Sequence, residues 1–98
     1  MVRRIIWDKE AILQLEEVYE YLKERSLQSA DKVRKSIKEK TRGLKDNPEI
    51  YNLDRFKKNN DGSFRAFEKY SYRVTYKVKV TEVIILRVRH TSREPLNH

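Results

Sequence analysis

Between Tyr72 and Arg93 two neighbouring segments alternate apolar with polar residues, and the polar positions are mostly basic. A period of two is the mark of a strand with one covered face, and two such runs separated by a reversal near Lys79–Thr81 predict an antiparallel hairpin. On the first segment Tyr72, Val74, Tyr76 and Val78 fall on the apolar side, leaving Arg73, Thr75, Lys77 and Lys79 opposite. On the second, Ile84, Leu86 and Val88 are assigned to the apolar side, with Val83, Ile85, Arg87 and Arg89 opposite. The apolar side requires a covering layer. The other side, where arginines and lysines converge, is predicted to stay open and to meet an anion.

The upstream half supplies the cover. Val2 to Trp7 is rich in β-branched and aromatic residues and stops at Asp8, a predicted helix N-cap, so it reads as a short first strand. From Lys9 the apolar positions Ile12, Leu15, Val18, Tyr19 and Leu22 recur at steps of three and four, which predicts a helix ending near Ser26. Ser29 is the predicted cap of a second helix with Ala30, Val33, Ile37 and Leu44 on its inner stripe, terminated at Asn47-Pro48. The short connection makes the pair an antiparallel hairpin. Pro48 to Gly62 reads as a polar loop, and Phe64 to Lys69 as a strand joined to the next by a reversal near Tyr70-Ser71. The expected architecture is α+β, in the order β-α-α-β-β-β, with an antiparallel-type sheet and the helix hairpin packed on one face.

At 98 residues the chain is expected to form one domain, spanning 1–98, around one core. Its 23 Lys and Arg against 15 Asp and Glu give a net charge of +8, which favours nucleic acid, an acidic protein or an anionic surface as partner. Absence of cysteine excludes disulfides and thiolate metal sites. No carboxylate pair or histidine cluster has ligand spacing, so neither a metal nor a cofactor is expected. Nothing approaches the ~20 apolar residues of a membrane span. A cytoplasmic protein without membrane contact is the expectation. The acidic run of the first helix and the basic run of the second predict charge pairing between them.

The words Tyr72-Arg73-Val74-Thr75-Tyr76 and Leu86-Arg87-Val88-Arg89-His90-Thr91-Ser92-Arg93, with the order of elements, resemble the RelE/ParE superfamily of bacterial toxins. These are the toxin halves of type II toxin–antitoxin modules. The resemblance implies a cognate antitoxin in a hetero-oligomer, with a disordered acidic segment folding over the basic face and the helices. It also implies one of two targets. Nucleases of the RelE and YoeB type cut messenger RNA on the ribosome, whereas ParE proteins poison DNA gyrase. Arg73 sits in a word like the strand where YoeB-type nucleases hold a catalytic arginine, and His90 matches the histidine near the end of their last strand. Thr91 replaces the aromatic that follows there. His90-Thr91-Ser92-Arg93 is instead similar to the His-x-x-Arg word of several ParE proteins.

Metal-independent RNA cleavage needs a base, an acid and cations on the phosphorane. On the nuclease reading the catalytic set is His90 as acid or base and Arg73, with Arg65 or Arg89, as charge stabiliser. Lys57, Lys58, Lys77, Arg87 and Arg93 form the expected RNA-binding set. Strict alternation puts His90 on the side of Val88, so a bulge at the strand end would decide its reach. The plainer alternative pairs the arginines with Glu68 or Glu82 and leaves Tyr72 and Tyr76 in the core. The sequence thus predicts a ribosome-dependent endonuclease toxin ahead of a gyrase inhibitor, and both ahead of a small basic nucleic-acid-binding domain without toxicity.

Overall fold

The computed structural model describes residues 2–93. The elements are β1 (Arg4–Trp7), α1 (Lys9–Lys23), α2 (Leu27–Gly43), β2 (Phe64–Lys69), β3 (Tyr72–Val78) and β4 (Glu82–His90), followed by a 3-10 turn at Thr91–Arg93. Asp8 caps α1 as expected, its side chain accepting the Glu10 N–H at 3.3 Å. Ser26, not Ser29, caps α2: its backbone is extended and its hydroxyl accepts the Ser29 N–H at 3.2 Å. The helix also stops at Gly43, short of Asn47-Pro48.

The strands lie in the order β1-β4-β3-β2. β2, β3 and β4 are antiparallel neighbours, but β1 runs parallel to β4, from Arg4 opposite Glu82 to Trp7 opposite Ile85. The sheet is therefore mixed, which corrects the antiparallel expectation. Two hairpin reversals give β4 the direction of β2, and the long segment 44–63 carries the chain back so that β2 starts in the direction of β1. A parallel neighbour needs such a crossover, and the helices and this segment supply it.

Both helices cover one face. Ile37, Leu44, Val74, Tyr76, Val83 and Ile85 are fully buried between the layers, each contributing ~1.5–3 kcal/mol relative to exposure for residues of this size. The core side of β4 differs from expectation. Thr75 pairs with Arg87 and Tyr76 with Ile85, so Leu86 is an extra residue at a bulge. Alternation restarts there, and Val83, Ile85 and Val88 become the buried set in place of Ile84, Leu86 and Val88. A strand with β-branched residues on both sides has no unique period-two reading, and the bulge decides it.

The outer face, expected to be open, is covered where β3 crosses it. Every residue from Tyr72 to Tyr76 is buried, on both sides of the strand. The cover is segment 52–57. Its first part runs beside β2, with the Asp54 N–H donating to Phe64 O at 2.9 Å and the Ala66 N–H to Asn52 O at 3.2 Å. Leu53 bridges to Arg65. Phe56 then turns over the sheet, its ring 4.8 Å from the Arg73 guanidinium carbon. Between the helices, no ion pair links the acidic and basic runs among the described residues. Arg34 instead packs over the Tyr19 ring at 3.7 Å, and the Tyr19 hydroxyl donates to Asp31 at 3.2 Å. No helix among the described residues is long and apolar enough to cross a membrane.

Candidate functional site

Residues directly opposite across a ladder share a face, so register decides which candidate residues can meet. Glu68, Arg73 and Arg89 form one row on the outer face, and Ala66, Thr75 and Arg87 the next. Phe64, Lys77 and Ile84 form a third. On the helix face the corresponding rows are Lys69, Tyr72 and His90, then Phe67, Val74 and Val88, then Arg65, Tyr76 and Ile85. Arg73, Arg87, Arg89 and Lys77 therefore share the outer side, while His90 and Arg65 project from the other. His90 and Arg65 are also separated along β3 by the four-residue step from Tyr72 to Tyr76, about 13 Å of strand.

Arg73 is the best fastened of these side chains. It is only 7 % exposed, and its guanidinium donates through one nitrogen to Asp54 at 2.8 Å and through the other to Glu68 at 3.0 Å. Asp54 is 2 % exposed and also accepts the Phe56 N–H at 3.0 Å. Arg89 lies directly opposite Arg73, and like charges so placed repel. Two carboxylates on Arg73 offset that repulsion and the loss of water from a buried cation. Glu68 was legible as a partner for the arginines. Asp54 was not, because it sits in a polar stretch without periodicity. The local signal is the Asp-x-Phe spacing, which suits a side chain accepting the N–H two residues on.

The remaining cations are more peripheral. Lys57 and Lys77 approach the Phe64 ring at 4.8 and 5.0 Å. Arg87 is half-buried, and its Nε has no hydrogen-bond partner among the described residues. Lys58 is exposed, its carbonyl accepting from Lys57 Nζ at 3.1 Å. Arg65 donates to Tyr51 O at 2.7 Å and faces Glu49 at 3.7 Å. Arg93 ends the 3-10 turn; its side chain lies outside what the structure describes.

His90 stands edge-on to Tyr72, with ring centroids 5.1 Å apart. The Ser92 N–H donates to its Nδ1 at 3.1 Å, and the Ser92 hydroxyl lies 2.8 Å from the same nitrogen. An N–H donor fixes Nδ1 as the acceptor and leaves the proton of a neutral ring on Nε2. The groove beside it is walled by Val18, Tyr21 and Leu22 of α1 and by Tyr72 and Val88 of the sheet. The sheet plane stands between this imidazole and the buried guanidinium. The groups brought together are Arg73 with its carboxylates, and Lys57 with Lys77 around Phe64; Arg73 and His90 are not.

Among the described residues, no group of three or more His, Cys, Asp or Glu is placed to hold a metal ion. Two groups have displaced proton affinities. Burial pushes the Tyr76 hydroxyl well above its ordinary value while it donates to Pro48 O at 2.7 Å. Hydrogen bonds from the side chain and backbone of Ser63 hold the Asp61 carboxyl below the usual aspartate range.

The chain resembles several solved proteins in fold. A chromosomal ParDE system from P. aeruginosa matches with a TM-score of 0.70 at 20% identity, covering 91% of this chain and 96% of that one. The RelBE2 toxin–antitoxin complex from Mycobacterium tuberculosis matches with a TM-score of 0.66 at 17% identity, covering 92% and 99%. The YoeB dimer from Staphylococcus aureus matches with a TM-score of 0.59 at 17% identity, covering 92% and 98%. No curated protein matches in sequence. The model of the ParE toxin of type II toxin–antitoxin systems, parDE, matches residues 5–95. With that match over nearly the whole sequence, the chain belongs to the ParE toxin family and is the toxin of a type II toxin–antitoxin system.

Proposed function

We propose that this toxin acts by binding DNA gyrase and blocking it, rather than by cutting messenger RNA. The observation that carries the reading is the separation of Arg73 from His90. A general acid and a charge stabiliser must reach one phosphate within hydrogen-bond distance, whereas these two project from opposite faces and Arg73 is already neutralised by Asp54 and Glu68. A binding protein needs no such convergence. The match to the ParE family model supports the same branch.

A cognate antitoxin is the second partner in this proposal. The P. aeruginosa and M. tuberculosis relatives are described as parts of toxin–antitoxin systems. A groove between β1 and the helix hairpin has Trp7, Ile12 and Leu15 on its apolar side and Arg34, Lys38 and Arg42 on the other. Cations spaced four apart along α2 suit an acidic amphipathic segment that folds as it binds, because apolar burial and charge pairing offset its ordering cost.

The test titrates the purified toxin into a supercoiling reaction with purified gyrase and, in parallel, into ribosomes programmed with a defined messenger RNA. The expected result is dose-dependent loss of supercoiling with intact RNA, unchanged in His90→Ala. Cleavage of the RNA, abolished by His90→Ala while gyrase is unaffected, overturns the proposal.

A further inference from the structure

We infer that Tyr70, presented on a strained turn, is the side chain with which this toxin grips an acidic face of gyrase, with Arg25, Lys32 and Lys69 around it as counter-charges. The inference rests on the gyrase reading above and deepens it by naming the contact. β2 and β3 are joined by two residues, Lys69 standing opposite Tyr72. Both have positive φ, 51° at Tyr70 and 66° at Ser71, the pattern of a type I′ hairpin turn. Asn-Gly suits such a turn, whereas a Cβ bearing a bulky ring is crowded there and costs stability. The fold does not recover that cost by burying the ring, because Tyr70 is 42% exposed. Its neighbours are the ammonium groups of Lys69 at 4.7 Å and Lys32 at 5.4 Å from the ring centroid, and cation–π contacts at exposed sites are weak. A tyrosine that strains its turn and faces solvent between two cations is explained by what it meets outside the chain.

The surroundings set the chemistry of the partner. Tyr21 of α1, 51% exposed with the Arg25 guanidinium carbon 4.6 Å from its ring centroid, lines the same groove as Tyr70. Arg89 lines it too, and Glu17 is the one carboxylate among the described residues that do so. Exposed tyrosines and arginines are the side chains that most often dominate a protein interface, and the excess of cations selects a partner bearing carboxylates. The turn is also held in place: the Thr91 N–H donates to Ser71 O at 2.8 Å, fastening it to the end of β4. An anchor ordered beforehand loses little freedom on binding. The groove assigned above to the antitoxin shares no lining residue with this one, so the two partners have separate footholds. His90 is half-buried and not part of the contact.

The test measures inhibition of purified gyrase in a supercoiling assay, together with the melting temperature of each full chain. Tyr70→Asn suits the turn and removes the ring. It is expected to weaken inhibition about tenfold or more, the loss of one interface anchor, while the melting temperature holds or rises by up to about 5 °C as the strain is relieved. Tyr70→Gly, for which positive φ carries no strain, has the same expectation. Lys32→Glu with Lys69→Glu reverses the flanking charges and is also expected to weaken inhibition about tenfold. Lys9→Glu with Lys45→Glu makes the same change of net charge on exposed residues elsewhere and is expected to leave inhibition unchanged. A lower melting temperature in both Tyr70 variants makes the ring a structural element and overturns the proposal. Undiminished inhibition by either Tyr70 variant, or equal inhibition by the two lysine pairs, overturns it as well. A native chain that leaves supercoiling intact overturns the gyrase reading itself, a result distinct from native inhibition that survives loss of the ring.

Discussion

Breaking the Arg73–Asp54 pair has an asymmetric cost that follows from what each partner keeps. The pair is 2.8 Å long, with side-chain exposures of 8% for Arg73 and 0% for Asp54. Arg73→Met preserves most of the aliphatic stem and removes the cation that lies 2.8 Å from a fully buried carboxylate. Such single-sided breaks cost ~3–5 kcal/mol. Asp54→Ala is milder, because Arg73 still holds Glu68 at 3.0 Å, and Glu68 is 47% exposed and remains hydrated. A cost of ~2–3 kcal/mol is expected there, near that of a lost charged hydrogen bond plus partial desolvation. The double variant should cost little more than Arg73→Met alone, giving a coupling of ~2 kcal/mol. Urea unfolding of the four proteins measures this from midpoint shifts at constant slope. An effect near 4 kcal/mol is a large part of the ~5–15 kcal/mol that holds a small domain together, so folding must first be established by circular dichroism. If Asp54→Ala proves more damaging than Arg73→Met, or if the coupling is below ~0.5 kcal/mol, the buried pair does not organise this face.

Other consequences are smaller. Gln14 of α1 accepts the Val88 N–H at 2.7 Å, beyond the point where β1 stops pairing with β4; Gln14→Ala should cost ~1–2 kcal/mol in urea unfolding, and Gln14→Glu, which keeps an acceptor, distinctly less. For Tyr76 the folded proton affinity is raised from 10.0, so its contribution to stability is complete below pH 10 and is lost as pH rises beyond it, by up to ~1.4 kcal/mol per unit. Unfolding midpoints measured from pH 9 upward should fall in the native chain and fall less in Tyr76→Phe. The Asp61 carboxyl should titrate below an ordinary aspartate by NMR and move up in Ser63→Ala, since the Ser63 hydrogen bonds are the main cause of its depression. Its stabilising effect is present above pH 3.8 and is lost as the solution is acidified through the lower folded value.

Much of the fold was legible because its signals are local. Leu15, Val18 and Leu22, then Ala30, Val33 and Ile37, recur at helical spacing, and Tyr72, Val74 and Tyr76 alternate, so both helices and β3 followed from side-chain period. The errors fall where long-range packing decides. Leu86 has no sequence mark of an extra residue, and its bulge exchanged Ile84 for Ile85 in the core. The parallel pairing of β1 depends on the path of 44–63, which has no apolar rhythm. For the candidate site, the outer row of arginines was legible from alternation, and so was the side of His90. Their incompatibility follows from the same rule, because Arg73 and His90 sit on strand positions of opposite sense. What could not be read was Asp54, whose importance comes from its ion pair with Arg73, nineteen positions away.

The parallel register also orders events during synthesis. Arg4 lies beside Glu82, a separation of 78 positions, and among the described residues no other strand is bonded to β1. As the nascent chain leaves the ribosome at ~5–20 residues per second, the helix hairpin and the β2–β3 pair have their local partners early, while the first strand waits for nearly the last. Closing so large a loop is the slow part of reaching such a topology. A polypeptide released anywhere before β4 lacks the strand that joins its beginning to its end. Premature termination or frameshifting across most of the gene should therefore yield harmless fragments, and a cell making this toxin gains a short interval between translation of the message and appearance of the folded poison.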